Sequence, residues 1–203
     1  SVSIQNIRFV ANFADVATAF TLTTAKDFNL IGCEFQDTDS THNFLSIVTT
    51  ASTANAADGL TILNNRIFGT GTTAATTPII LGGNADRVTV SGNYVNLAVL
   101  NNTSALIAKT SKVTTNLMVS NNAVYRPNTD TSTASTGMFL ISTTSTTDTG
   151  MVMDNYAIHA DTAAAVLVAA STGLGFANNL MSGDADAFAA ALVGGGTTAT
   201  AAN

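Results

Sequence analysis

Tryptophan is absent from this chain, cysteine occurs once, proline twice, and only 10% of its 203 residues are charged. Each scarcity excludes something. The single Cys33 rules out an intrachain disulfide, so no such staple holds the fold. A coiled coil or long-helix protein would be rich in Glu, Lys, Arg and Leu, yet Glu34 is the only glutamate. A disordered polar chain combines low hydrophobicity with high net charge, whereas 46% of this chain is hydrophobic and its mean hydropathy is +0.30. Nucleic-acid binders are normally basic, but the formal charge is -6. No run approaches the ~18–20 apolar residues of a membrane span; the best, Ala163 to Ala170, is far too short. Neither nucleic acid nor membrane insertion is therefore expected. No charged start leads into an apolar run as in a signal peptide. The chain opens Ser-Val-Ser without Met, which reads as a piece processed or excised from a longer protein.

What is present is small and polar: Ala, Thr, Ser, Asn and Gly, arranged in a repeat. Its copies begin at Val2, Phe28, Leu60, Val88, Leu117, Met151 and Leu174. The third runs Leu60-Thr-Ile-Leu-Asn-Asn-Arg-Ile67, and the fifth Leu117-Met-Val-Ser-Asn-Asn-Ala-Val124. The first, third and eighth positions are apolar, and the two-residue step marks one face of a strand. The fifth position holds Asn6, Gly32, Asn64, Gly92, Asn121, Asn155 and Asn178. Asn and Gly tolerate the left-handed backbone region, so a sharp bend is expected there, with the Asn side chains stacked into an amide ladder. A second strand follows each copy, with cores such as Phe44-Leu-Ser-Ile47 and Pro78-Ile-Ile-Leu81.

Repeated short strands with a bend in every copy describe an all-β parallel β-helix, a solenoid of about seven coils, stacked at ~4.8 Å to a height of about 34 Å. The helix is expected over residues 1–193, with 194–203 as a flexible tail. These segments resemble the repeats of right-handed, single-stranded parallel β-helix proteins, the architecture of pectate lyases and many phage tailspikes. The resemblance runs from Val2 to about Leu192. The Ala/Thr/Asn-rich texture of stretches such as Asp154 to Val168 is similar to that of phage virion β-helices.

Candidate sites are sparse. Arg8, Glu34 and Arg66 share the seventh position of successive copies, which stacks them as an ion-pair ladder on the surface. A carboxylate between two arginines makes a poor general acid. Asp37, Asp39 and His42 share one loop, and Asp154, His159 and Asp161 form a second acidic patch. Carboxylates at such spacing suit Ca²⁺ or hydrolysis, and equally suit ordinary polar turns. The four aspartates Asp37, Asp39, Asp154 and Asp161 are the catalytic candidates; Asp184 and Asp186 lie in a turn-like run. Asp58 and Asp86 align with Lys26 before them and Thr115, Thr149 and Thr172 after, a turn ladder in which short oxygens bond the backbone. Cys33 stands where other copies carry Asn, and reads as a packed residue without a histidine beside it. Tyr94, Tyr125 and Tyr156 are scattered, a poor platform for a sugar, although Tyr125 and Tyr156 fall near the same bend in adjacent coils. No cofactor or metal motif appears.

The resemblance implies a structural or adhesion component of a phage virion, a spike, fibre or capsid-surface protein acting as a rigid display scaffold at the virion surface or outside the cell. Exposed coil ends imply a homo-oligomer, a trimer, contacts with other virion proteins, and a host surface glycan as ligand. The alternatives are a polysaccharide-cleaving glycosidase or lyase, and a bacterial surface adhesin. An enzyme would require two convergent carboxylates.

Overall fold

The computed structural model describes residues 1–11, 18–38, 46–52, 55–68, 77–96, 106–109, 112–126, 138–142, 147–159, 166–168 and 173–182. Within them every regular element is a strand, and all the long pairings are parallel. Sheet A stacks Val2–Gln5, Phe28–Ile31, Thr61–Leu63, Thr89–Ser91, Leu117–Ser120, Gly150–Met153 and Leu174–Ala177. Sheet B stacks Arg8–Ala11, Glu34–Asp37, Arg66–Phe68, Tyr94–Asn96, Ala123–Arg126, Tyr156–His159 and Leu180–Ser182. Sheet C stacks Thr18–Leu22, Ser46–Thr50, Ile79–Leu81, Ile107–Lys109, Met138–Ser142 and Val166–Val168. The chain visits A, B and C in turn and then returns to A one layer on. This is a parallel β-helix, as the repeat requires.

Strand alternation places one column of side chains inside at each register position. In sheet A, Ile4, Leu30, Ile62, Val90, Val119, Val152 and Phe176 follow one another through the interior. Phe9, Phe35, Ile67, Val95 and Val124 do so in sheet B, and Phe20, Val48, Ile79, Ile107 and Ile141 in sheet C. The first coils concentrate the aromatics. Phe9 stacks on Phe35 with centroids 4.9 Å apart, and Phe20 meets Phe9 edge-on at 5.3 Å.

The bend between sheets A and B falls at the fifth repeat position. Positive φ angles occur at Asn6 (56°), Gly32 (63°), Asn64 (55°), Gly92 (68°), Asn121 (55°), Asp154 (55°) and Asn178 (50°). The sixth copy departs from the sequence expectation, because Asp154 makes the bend and not Asn155. The cause is Gly150. Its backbone pairs with Leu117, so glycine fills the first repeat position and Met151 the second. A Cβ there would collide with the Leu117 backbone. The rule that an apolar side chain opens each copy therefore misaligns this one by a residue.

The amide ladder is also displaced. The asparagines at the bend point outward, and the ladder belongs to the following residue: Asn65, Asn93, Asn122, Asn155 and Asn179. Each Oδ1 accepts the backbone N–H of the residue one coil earlier and, where that residue is Asn, its side-chain amide as well, as when Asn122 Oδ1 accepts from Asn93 N at 3.0 Å and Asn93 Nδ2 at 2.9 Å. Each Nδ2 also donates to a carbonyl one coil back, Asn122 to Val90 and Asn155 to Val119, both at 2.9 Å. Cys33 heads the column. Its N–H donates to Asn65 Oδ1 at 2.8 Å, and its buried thiol points at the Ile4 and Ile31 carbonyls where later coils place an amide. Side-chain amides inside the bend thus satisfy backbone groups that turn away from the sheet ladders.

A second left-handed column precedes sheet A: Asp27 (φ 53°), Gly59 (72°), Arg87 (57°) and Asn116 (55°). Arg87 is the misfit, since a Cβ with a long side chain is disfavoured in this region by about 1 kcal/mol. Arg87→Gly should raise the unfolding free energy by about 1 kcal/mol, read as a higher urea midpoint at unchanged slope; a lower midpoint would refute the strain.

Candidate functional site

The outer face of sheet B gathers the exposed side-chain chemistry. Parallel register aligns Arg8, Glu34, Arg66, Tyr94, Ala123, Tyr156 and Leu180 in one outward column. Its first part is ionic. Arg8 Nε lies 2.9 Å from Glu34 Oε1, and Arg66 Nη1 3.7 Å from Glu34 Oε2, all at the surface. Exposed pairs of this kind contribute about 0–1 kcal/mol. The guanidinium of Arg66 also rests 4.7 Å from the centroid of Phe68, whose ring is 6.0 Å from that of Tyr94.

The second part is aromatic. Tyr94, Ala123, Val124, Tyr125 and Tyr156 line an open cavity of about 270 Å³. Tyr94 and Tyr156 flank Ala123 two coils apart, a spacing of about 9.6 Å. The small Ala123 leaves a slot between Tyr94 and Tyr156, which are 40% and 38% exposed, with Tyr125 at its side. Tyrosines scattered along the sequence therefore converge, because the coil spacing brings residues about thirty apart within one layer of each other. Sequence distance gave no sign of this, whereas the seventh-position alignment of Tyr94 and Tyr156 contained it once the sixth copy is shifted by one residue. Asn96, in register with Phe68 and Tyr125, carries a buried Oδ1 without a hydrogen-bond partner.

The turn column before sheet A connects as follows. Lys26 Nζ lies 3.7 Å from Asp58 Oδ2, Asp58 Oδ1 accepts the Asp86 N–H at 3.0 Å, and Asp86 Oδ1 accepts from the Thr115 hydroxyl at 2.7 Å and the Asn116 amide at 2.8 Å. Thr149 Oγ1 accepts the Asn116 N–H at 3.2 Å. The Thr115 and Asn116 bonds, with Arg87 adding a smaller attraction, hold the Asp86 carboxyl below the usual aspartate range. Its folded value is thus depressed. The stabilisation is present above about pH 4, the unfolded aspartate value, and is lost as pH falls through the folded value. Asp86→Asn should flatten the acid limb of the stability curve below about pH 4; an unchanged acid limb in urea titrations at stepped pH would contradict this.

Of the catalytic candidates, Asp37 ends a sheet B strand and Asp154 sits exposed at its bend. Asp39, Asp161, His42, Asp184 and Asp186 lie outside the described residues. Glu34, Asp58 and Asp86 are held by the partners above. Among the described residues no three His, Cys, Asp or Glu side chains gather as metal ligands, and no helix is long and apolar enough to cross a membrane.

One charged pair was not foreseen. Lys109 follows Leu81 in an inward column of sheet C, and its ammonium meets Asp148 Oδ1. Both side chains are 0% exposed. Asp148 Oδ1 also accepts the Thr114 N–H at 2.7 Å. Burial pushes the Lys109 ammonium below its ordinary range, with Asp148 opposing that shift. The signal for Lys109 was legible, since it sits two residues after the inward Ile107. Asp148 lies in a loop without periodicity, and nothing marked it. Comparison with family models, curated proteins and solved structures finds no match to this chain.

Proposed function

We propose that the chain is a structural and adhesion component of a phage virion, a spike, fibre or capsid-surface protein whose β-helix displays a glycan-binding face. The observation that carries the reading is the tyrosine slot on sheet B. Sugar rings present apolar C–H faces, and exposed aromatic rings on a rigid support stack against such faces at low conformational cost. The parallel ladders beneath hold Tyr94 and Tyr156 at a set spacing. Glu34, Asp58, Asp86 and Asp148 are all engaged by cations or hydrogen-bond donors, which favours display over hydrolysis. The same reading takes the chain as one protomer of a homotrimeric or larger virion assembly.

The test is titration of the purified chain with capsule and lipopolysaccharide oligosaccharides, followed by tyrosine fluorescence. Binding should weaken about fivefold to thirtyfold in Tyr94→Ala and Tyr156→Ala, since one ring contributes on the order of 1–2 kcal/mol. Absence of binding across the panel would sink the adhesion reading, and release of shortened oligosaccharides would replace it with a polysaccharide-cleaving one. A stable monodisperse monomer in light scattering would overturn the trimer.

A further inference from the structure

We propose that Lys109 and Asp148 become joined by an amide bond between their side chains, formed by the folded chain itself and tying one coil to the next. Three observations converge on the pair. Both side chains are 0% exposed, so the pair is shut off from bulk water. Nζ and Oδ1 are in direct contact, which places the nitrogen beside the carboxyl carbon. The Thr114 N–H is bonded to that same Oδ1 at 2.7 Å, where negative charge would develop during attack. Leu81, in register with Lys109, and Ile107, two residues before it, are both buried in the apolar core. The reaction begins when the Lys109 proton passes to the Asp148 carboxylate, which leaves an amine and a carboxylic acid; burial, which disfavours the ammonium, assists the lysine's half of that step.

The reaction is a condensation and needs no oxidant or other reactant. The Nζ lone pair attacks Cγ of the protonated Asp148 and a C–N bond forms. The C–OH bond then breaks. One Nζ proton stays on the new amide, the other passes to the departing hydroxyl, and one water leaves. Holding the reactants together replaces the bimolecular encounter that makes amide formation slow in solution. A bond between residues 39 apart would resist separation of coils in a protein under mechanical load.

Intact-mass measurement of the purified, folded chain decides the matter. The chain should be lighter than its sequence mass by one water. Tandem mass spectra after proteolysis should show the Lys109 peptide joined to the Asp148 peptide. Lys109→Arg, which keeps the charge but not the nucleophilic amine, and Asp148→Ala should both restore the full sequence mass. A folded chain at full mass overturns the proposal. So does a lost water that the spectra place elsewhere, such as a ring closure at Asp58–Gly59. If the variants do not fold, the joined peptides of the natural chain still give the answer.

Discussion

Replacing Asn122 by alanine should cost about 3–5 kcal/mol of unfolding free energy, several times the effect of an ordinary surface change. Asn122 Oδ1 accepts both the Asn93 N–H and the Asn93 amide, and Asn122 Nδ2 supplies Val90 O and Asn155 Oδ1. Asn93 and Asn155 are each 1% exposed, so water cannot substitute for the lost partner. Each stranded buried group costs about 1–3 kcal/mol. The adjacent Asn64→Gly is the control. Asn64 bends the backbone at φ 55° and faces solvent, and glycine takes that conformation freely, so the change should stay within about 0.5 kcal/mol. Urea unfolding of the two variants separates the ladder from the bend. Equal effects, or a loss below about 1 kcal/mol for Asn122→Ala, would show that the amide column does not hold the coils.

Asp148→Ala should be comparably severe, about 3–5 kcal/mol, because it strands a buried ammonium and also frees the Thr114 N–H. Lys109→Met combined with Asp148→Leu should recover the part of that loss caused by the stranded charge, since apolar replacements remove both desolvation penalties together. A double variant no better than Asp148→Ala in denaturant unfolding would mean that the stranded charge was not the source of the loss.

Much of the architecture could be read from the residues. The two-residue apolar step fixes which side chains face inward, and Asn or Gly recurring in each copy marks a backbone place that other residues enter only with strain. Seventh-position alignment put Arg8, Glu34 and Arg66 in adjacent layers, and their side-chain atoms lie within ion-pair distance. The errors also have particular causes. Asn-Asn pairs such as Asn64-Asn65 and Asn121-Asn122 satisfy a bend and a ladder at once, and nothing in composition says which member does which. The φ angles and burial separate them. Gly150 removed the apolar landmark of its copy and moved the expected bend from Asp154 to Asn155.

The local periodicity of the chain suffices for strands, bends and stacking, because these depend on backbone preference and on which face is apolar. The tyrosine slot and the Lys109–Asp148 pair are different in kind. The slot exists because Ala123 is small and lies between two tyrosines one layer away on either side, a relation set by inter-coil register. The buried pair exists because a loop without pattern turns one carboxylate into the interior opposite an inward lysine. Such contacts join residues far apart in the chain, so only their packing in three dimensions decides them.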